Sequence, residues 1–333
     1  MRRRHFIQNG SRAGLALSLL GLHACKEEKK KDSKETEENA MIEETEPFFK
    51  LSLAQWSIHK MIREDGVDPY TFAEKAKKWG FTGIEYVNQL YNKELEAANY
   101  SDEAMANFVE KCNAEAKKHG VENVLIMVDG EGYMAVPDAD ERKQTVKNHY
   151  KWVDAAAAMG CHAIRVNLYG EEDPKAWKEA SVDSLTQLST YAKAKNINVI
   201  VENHGGLSSN GAMVADVMET VNMDNCGTLP DFGNFCIRRN DPDDYRKGCA
   251  EMYDIYQGVT ELMEHAKAVS AKSHEFDANG NETQIDYTKM LQIVKDAGYT
   301  GYIGVEYEGS ELSEEEGILA TRELMLNAAK KLS

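Results

Sequence analysis

Apolar and polar positions alternate along the chain in blocks that predict strands and helices in turn. Between Leu51 and Glu306, eight short and mainly apolar runs are each followed by a longer segment with apolar residues on one helical face. Such runs are typical of buried parallel strands, and the longer segments are typical of amphipathic helices. The predicted strands are 51–57, 81–87, 121–128, 163–167, 198–202, 226–231, 269–274 and 301–306.

This repeated strand-helix unit predicts an α/β protein, and eight repeats predict a (β/α)8 barrel closed by right-handed crossovers. A doubly wound open sheet is the competing architecture. It usually carries a G-x-G-x-x-G loop after its first strand, and no such loop or P-loop is present here. The stretch 232–258 fits neither block pattern, and we expect a loop with one or two short helices there.

The first 25 residues predict an export signal. A basic head, Arg2 to Arg4, precedes an apolar core at 13–22, which is shorter than the roughly 20 residues that a membrane span needs. Residues 22–25 read LHAC and are similar to a bacterial lipobox, which makes Cys25 the predicted lipidation site. A plain export signal that happens to contain a cysteine is the alternative, and the choice between twin-arginine and general secretory routes stays open.

Residues 26–47 are rich in Lys and Glu and nearly free of apolar residues. Such a segment cannot bury a core, so we expect a disordered tether, with the barrel domain at 48–333. Together the two segments predict an exported lipoprotein, either periplasmic or anchored to the outer membrane. Contact with a membrane would then be through the lipid anchor alone.

Charge and cysteine content narrow the function further. The formal net charge is -17, which argues against nucleic acid as a partner because phosphate backbones are bound by Lys and Arg. The remaining cysteines show no C-x-x-C spacing, so zinc-thiolate and thioredoxin-like sites are excluded, and we expect buried free thiols. These cysteines are Cys112, Cys161, Cys226, Cys236 and Cys249.

Residues able to bind a metal end four successive predicted strands. Glu202, Asp231, His274 and Glu306 stand at the ends of strands five to eight. A barrel brings these carboxyl-terminal ends together at the face where active sites lie. Three oxygen ligands and one nitrogen ligand suit one divalent ion, with Mn²⁺ as the first choice and Co²⁺, Mg²⁺ or Zn²⁺ as alternatives. Each residue alone could equally cap a helix or pair with an arginine.

Further polar and aromatic residues at strand ends are candidate substrate contacts. His204 could bind a sugar hydroxyl or shuttle a proton, or it could hydrogen-bond a loop. Lys272 could hold an oxyanion, or it could pair with Glu306 or Asp231. Arg165 and Glu85 could contact substrate, although an ion pair between them is the more ordinary expectation. On strand one, Trp56 and His59 could form a wall of a sugar pocket, although Trp56 could also belong to the core.

Three motifs stand at the ends of strands five, six and eight: VENH at 201–204, PDFGN at 230–234 and IGVEYEG at 303–309. Through these motifs the chain, from Phe48 onward, resembles the xylose isomerase-like barrel family of sugar isomerases and epimerases. The resemblance implies one divalent ion held by Glu, Asp, His and Glu. It also implies that Glu202 and Glu306 flank the substrate carbon that loses a proton, so that both are catalytic as well as ligands.

The chain departs from the family pattern at two positions. Ser270 stands where the family often has a histidine, two residues before Lys272. His274 lies two residues beyond Lys272, and since a strand has a period of two, it could still reach the ion. Asn234 stands where many members have a histidine that contacts substrate or a further metal. We therefore keep Asn234 as a candidate substrate contact, and its presence argues against the multi-zinc apurinic endonuclease branch.

Four functions follow as expectations. The first is a metal-dependent sugar isomerase or epimerase that removes a proton next to a carbonyl of a free or keto sugar, through an enediolate. The second is a lyase or dehydratase on a keto sugar or keto-glycoside through the same intermediate. The third is a surface lipoprotein that binds glycan without turning it over, and a metal-dependent phosphodiesterase is a weaker fourth. The sugar and the oligomeric state are left open.

Overall fold

The computed structural model describes residues 46–332 except residues 242, 245 and 246. The predicted export signal, Cys25 and tether residues 26–45 lie outside the described residues. Within the described part, no helix has the length and hydrophobicity that a membrane span requires.

Eight parallel strands form one curled sheet, and the remaining two strands form a separate antiparallel hairpin. The order in the large sheet is β6-β5-β4-β3-β2-β1-β10-β9, and the hairpin is β7-β8. The strands are β1 Lys50–Ala54, β2 Gly83–Val87, β3 Glu122–Met127, β4 Ala163–Val166, β5 Asn198–Glu202, β6 Cys226–Leu229, β7 Cys236–Arg239, β8 Cys249–Met252, β9 Val269–Ser273 and β10 Tyr302–Tyr307.

Backbone hydrogen bonds close the sheet between its two outer strands, just beyond the end of β6. Ser270 N donates to Pro230 O at 2.9 Å, and Phe232 N donates to Ser270 O at 3.1 Å. Asp231 and Ser270 thereby form an isolated parallel bridge. The predicted eight-stranded α/β barrel is confirmed.

Helices follow the barrel strands and pack on the outside of the sheet. Several begin after a side chain that caps the first turn: Ser101 accepts from Ala104 N, and Asp138 accepts from Glu141 N. Two short helices after β1 and β2 were not predicted. The helices are α1 His59–Arg63, α2 Phe72–Lys78, α3 Asn92–Ala97, α4 Asp102–His119, α5 Ala139–Met159, α6 Pro174–Lys193, α7 Gly211–Val221, α8 Ile255–Met263, α9 Tyr287–Asp296 and α10 Glu314–Lys331.

The apolar core lies between the sheet and these helices. Phe108, Trp152 and Trp177 are among its largest fully buried side chains. The inside of the barrel is different near the ends of the strands, where buried charged residues replace the branched apolar layers common in barrels of this type. The packing energy therefore comes from the outer layer, and the barrel interior is left available for polar groups.

The structure of the segment after β6 differs from two of the expectations drawn from the sequence. Instead of a loop with short helices, it contains the antiparallel hairpin of β7 and β8, which a disulfide between Cys236 and Cys249 joins. The expectation of free thiols was therefore wrong for these two cysteines, because the hairpin pairs them across adjacent strands, a register that spacing alone does not reveal. Cys112, Cys161 and Cys226 are free, as expected.

Removing this disulfide should loosen the hairpin. The bond links residues 13 apart, and the loop-entropy model gives about 3 kcal/mol for a loop of this length. We expect a Cys236→Ser, Cys249→Ser double variant to be cleaved faster within 236–252 by limited proteolysis without reductant. Dithiothreitol should bring the wild-type protein to the rate of the variant and leave the variant unchanged. Equal cleavage of both proteins without reductant would contradict this expectation.

Candidate active site

The chemically active side chains share the inner face of the sheet. In the strand register Glu306 lies beside Lys272, and Gly304 lies beside Ser270. Side chains of residues that lie side by side on adjacent strands point to the same face of the sheet, and every second residue along a strand points to that face as well. On the other side of the barrel the register places Ala54 beside Glu85. The alternation that predicts buried strands therefore also concentrates these polar residues at the barrel mouth.

Three of the predicted metal ligands converge. One carboxylate oxygen from each of Glu202, Asp231 and Glu306 lies within 4.8 Å of the other two, and all three residues are buried. The Ser270 hydroxyl lies 2.7 Å from Asp231 Oδ2 and 3.0 Å from Glu306 Oε2. It has one proton and so donates to one of them at a time. Asn234 Nδ2 donates to Glu202 Oε1 at 3.0 Å, so this predicted substrate contact also positions a carboxylate of the triad.

Lys272 places a buried ammonium beside these carboxylates. Its Nζ lies 3.1 Å from Glu306 Oε1, 3.8 Å from Asp231 Oδ2 and 2.6 Å from Glu308 Oε1. Both partners proposed from the sequence are therefore present, and Glu308 is a third. An ammonium so close to two of the triad carboxylates supplies positive charge at the place where a metal would also supply it.

Arg165 supplies the second buried cation, but with other partners than expected. Its Nη1 donates to Asp129 Oδ1 at 2.7 Å, and its Nε lies 2.7 Å from Glu202 Oε2 without the alignment of a hydrogen bond. The expected ion pair with Glu85 is wrong. Glu85 instead accepts a hydrogen bond from Ser52 Oγ at 2.5 Å, and its other oxygen has no hydrogen-bond partner among the described residues.

The mouth contains more buried acid than base. Burial raises the pKa of Glu306 to about 8 even though Lys272 opposes the shift, and burial raises the pKa of Glu85 to about 7. The pKa of Asp231 is raised for the same reason. Burial acts in the same direction on Glu308, but Lys272 outweighs it and lowers that pKa to about 2. Near neutral pH the site therefore contains both carboxylates and carboxyl groups able to hold a proton.

His274 is not brought into the triad. Strand β9 ends at Ser273, so the alternation that places Ser270 and Lys272 on the inner face stops before His274. Its positive field does help to lower the pKa of Glu308, so the side chain belongs to the surroundings of the mouth. The group of possible metal ligands in the described residues consists of oxygen donors only.

The remaining predicted residues lie at strand ends around the mouth. His204 Nδ1 lies 2.7 Å from the Tyr169 hydroxyl, which also donates to the His204 carbonyl oxygen. Trp56 is partly buried in a 3-10 helix directly after β1, where it stacks on His59 and Arg63 lies over its ring. His59 begins α1 and so is not on strand one, because β1 ends at Ala54.

Sequence reasoning missed two members of the site. Asp129 follows β3, and its pKa is lowered because the charge of Arg165 outweighs burial. The residue stands at a strand end, which is the signal that identified Asp231, but the glycines after it made it read as a loop residue. Glu308 stands two residues after Glu306, so the period of two could have indicated it.

A divalent ion fits the residues present. The triad offers three buried carboxylates whose oxygens converge, and Glu202 Oε2 forms an ion pair with Arg165 but no aligned hydrogen bond in the described residues. With Ser270 in place of a histidine, the donors are hard oxygens, which suit Mg²⁺ or Mn²⁺ better than softer ions. Lys272 opposes this fit, since its ammonium lies 3.1 Å from Glu306.

Comparison with known proteins agrees with the observed fold. The sequence model described as the xylose isomerase-like TIM barrel matches residues 73–328. A search of curated protein sequences gave no significant match.

Many solved structures share the fold at low sequence identity. IOLI protein with a bound zinc atom is 15% identical with a TM-score of 0.64, covering 85% of this chain and 99% of that one. The 3-keto-D-glucoside 4-epimerase YcjR from E. coli is 14% identical with a TM-score of 0.60, covering 83% and 98%. The probable 3-DHS dehydratase AsbF from Bacillus anthracis is 15% identical with a TM-score of 0.58, covering 83% and 98%.

Metal binding tests the triad directly. We expect Mn²⁺ to bind and to raise the melting temperature through mass action. Asp231→Asn should weaken binding about tenfold or more because it removes a charged ligand, whereas Lys272→Met should strengthen it because it removes a competing cation. Isothermal titration calorimetry measures both effects, with Glu264→Gln on the outside of the barrel as the control. A wild-type protein that binds no divalent ion would contradict the assignment.

The raised pKa of Glu306 predicts how stability depends on pH. The folded protein holds this proton up to about pH 8, whereas the unfolded chain releases it near 4.5. The resulting stabilisation is fully present below 4.5 and is lost as the pH rises through 8. With EDTA present, the melting temperature should therefore fall between pH 6 and pH 9, and less so in Glu306→Gln. Parallel curves for the two proteins would show that this carboxyl group does not titrate there.

Proposed function

Because the chain belongs to the xylose isomerase-like TIM barrel family, we propose that it isomerises or epimerises a free or keto sugar by moving a proton next to a carbonyl group. The observation that carries the proposal is the convergence of Glu202, Asp231 and Glu306 on the inner face of the barrel. Neighbouring folds include a sugar epimerase and a probable dehydratase, which supports this class of chemistry without selecting one reaction.

Glu202 and Glu306 carry the proton in this proposal. One carboxylate removes the α-proton of the substrate, and a carboxyl group returns a proton to the neighbouring carbon or to the opposite face. Before an ion binds, burial raises the pKa of Glu306 to about 8, so this group can hold a proton near neutral pH. Lys272 and Arg165 hold the carboxylates in place through their ion pairs.

When bound, a divalent ion held by Glu202, Asp231 and Glu306 would act as a Lewis acid that polarises the substrate carbonyl; Mn²⁺ remains our first choice, with Mg²⁺ fitting the oxygen donors equally. The Lys272 ammonium adds charge stabilisation for the oxygen that becomes negative. Burial of the site strengthens both effects because the local dielectric is low. If the deprotonated substrate expelled a β-substituent instead of regaining a proton, the enzyme would be a lyase. Analysis of the products distinguishes the two outcomes.

The ion pairs of Lys272 also favour a second candidate, a glycan-binding protein without turnover. In that case Lys272 and Arg165 would neutralise the carboxylates permanently. The two functions differ in metal content, since the binder needs no divalent ion.

We also infer export and lipid anchoring through Cys25. The basic head, the apolar core and the lipobox-like LHAC sequence support this inference. The Cys236–Cys249 disulfide supports it independently, since disulfides persist mainly in oxidising compartments.

Hydrogen exchange with solvent tests the proposed chemistry. We expect the Mn²⁺-loaded protein to incorporate deuterium from D₂O into at least one member of a panel of keto sugars and 3-keto-glucosides, as measured by NMR. Glu202→Gln should slow this exchange at least about a hundredfold because it removes a proton carrier, whereas Glu264→Gln should match the wild type. A metal-loaded wild-type protein that exchanges no member of the panel would refute proton abstraction.

A further inference from the structure

Tyr133 is exposed to solvent, whereas the two residues that follow it in the same loop are buried. With 58% of its surface accessible, it is the most exposed large hydrophobic side chain in the described residues. The next two residues, Met134 and Ala135, are fully buried. The loop joins β3 to α5 and therefore lies at the carboxyl-terminal end of the barrel, where the candidate active site is.

The backbone beside Tyr133 is held in one position. Ala135 N donates to Tyr169 O at 2.8 Å, and Glu171 N donates to Ala135 O at 2.8 Å, so two successive mouth loops are joined like strands. Gly170 makes this possible, because a Cβ there would lie 2.4 Å from the Ala135 backbone. An exposed aromatic ring on so constrained a backbone is preorganised for contact, since little conformational entropy is lost on binding.

Aromatic contacts lead from Tyr133 towards the candidate active site. Its ring centroid lies 5.9 Å from that of Tyr169 in an edge-to-face arrangement. The ring of Tyr169 lies 5.8 Å from that of His204, and its hydroxyl is hydrogen-bonded to the same histidine. Because His204 is two residues beyond Glu202, the last residue of β5, the row Tyr133, Tyr169, His204, which we call the aromatic row, runs from solvent to the strand ends at the barrel mouth.

We propose that Tyr133 and Tyr169 form an outer sugar subsite, so that the substrate is a glycoside with a second ring. This rests on the proposed function for the ring that lies at the carboxylates. Pyranose rings have apolar C–H faces that pack on aromatic rings, while hydroxyl groups at their edges hydrogen-bond. A single exposed apolar residue needs no explanation by itself. For Tyr133, however, the fixed backbone and the aromatic row together indicate a binding role.

Sugar binding, measured apart from turnover, tests this subsite. NMR titrations with methyl β-D-glucoside, maltose and cellobiose would give dissociation constants for one-ring and two-ring probes. We expect at least one disaccharide to bind more tightly than the methyl glucoside, and Tyr133→Ala to weaken that disaccharide about threefold to tenfold, the range of one aromatic contact. Tyr133→Phe should bind like the wild type because it keeps the ring face.

Matched controls separate this effect from loss of stability. Tyr302→Ala removes a partly exposed tyrosine at the start of β10, which is the opposite end of the barrel, and should leave all three affinities unchanged. The methyl glucoside should bind wild type and Tyr133→Ala equally. Equal loss of both probe classes in Tyr133→Ala, or a wild type that binds neither disaccharide, would overturn the subsite. Failure of the deuterium exchange with intact disaccharide selectivity would instead refute the proposed function and leave the subsite standing.

Discussion

The candidate site depends on a surplus of buried negative charge. Two cations, Arg165 and Lys272, face six carboxylates, so that full ionisation would leave four uncompensated charges inside the barrel mouth. Burying an unpaired charge is very unfavourable, and proteins avoid it by pairing, by protonation or by binding a cation. In this site the cations are shared between several acids, and the raised pKa values of Glu306 and Glu85 let these groups retain protons near neutral pH. A bound divalent ion would neutralise further charge at the triad. The carboxylates are Glu85, Asp129, Glu202, Asp231, Glu306 and Glu308.

Small and amide side chains complete the site at positions where the family often has histidines. Ser270 leaves room between Asp231 and Glu306, and its hydroxyl bridges them where an imidazole would supply a nitrogen ligand. Asn234 donates to Glu202 from a position where an imidazole could instead contact substrate or a metal. Both changes replace nitrogen donors by groups that hydrogen-bond carboxylates. The site that results is harder and more anionic, and it depends more on Lys272 for its positive charge.

The sequence predicted the fold well because its signals are local. Apolar runs that end in polar residues are recognised over a few positions, and the closed barrel follows from their repetition. The same logic located three residues of the triad. The failures concern which side chains pair with each other. Arg165 has several carboxylates within reach, and only the folded structure shows that Asp129 and Glu202 are its partners. The Cys236–Cys249 disulfide was missed because the spacing of the cysteines does not reveal the register of the hairpin that joins them.

The energetics of the mouth argue for chemistry over a purely structural role. A barrel that served only as a scaffold would be at least as stable with branched apolar residues in this layer, because buried ion pairs seldom repay their desolvation. Glycan binding alone would need hydrogen-bonding groups but not a carboxyl group held with a pKa near 8 beside an ammonium 3.1 Å away. Proton transfer is favoured by that arrangement, since a carboxyl group with such a pKa can hold a proton near neutral pH while the ammonium stabilises charge that develops on the substrate. The aromatic row supplies what the charged layer lacks, an apolar surface that can position a sugar ring without adding further charge.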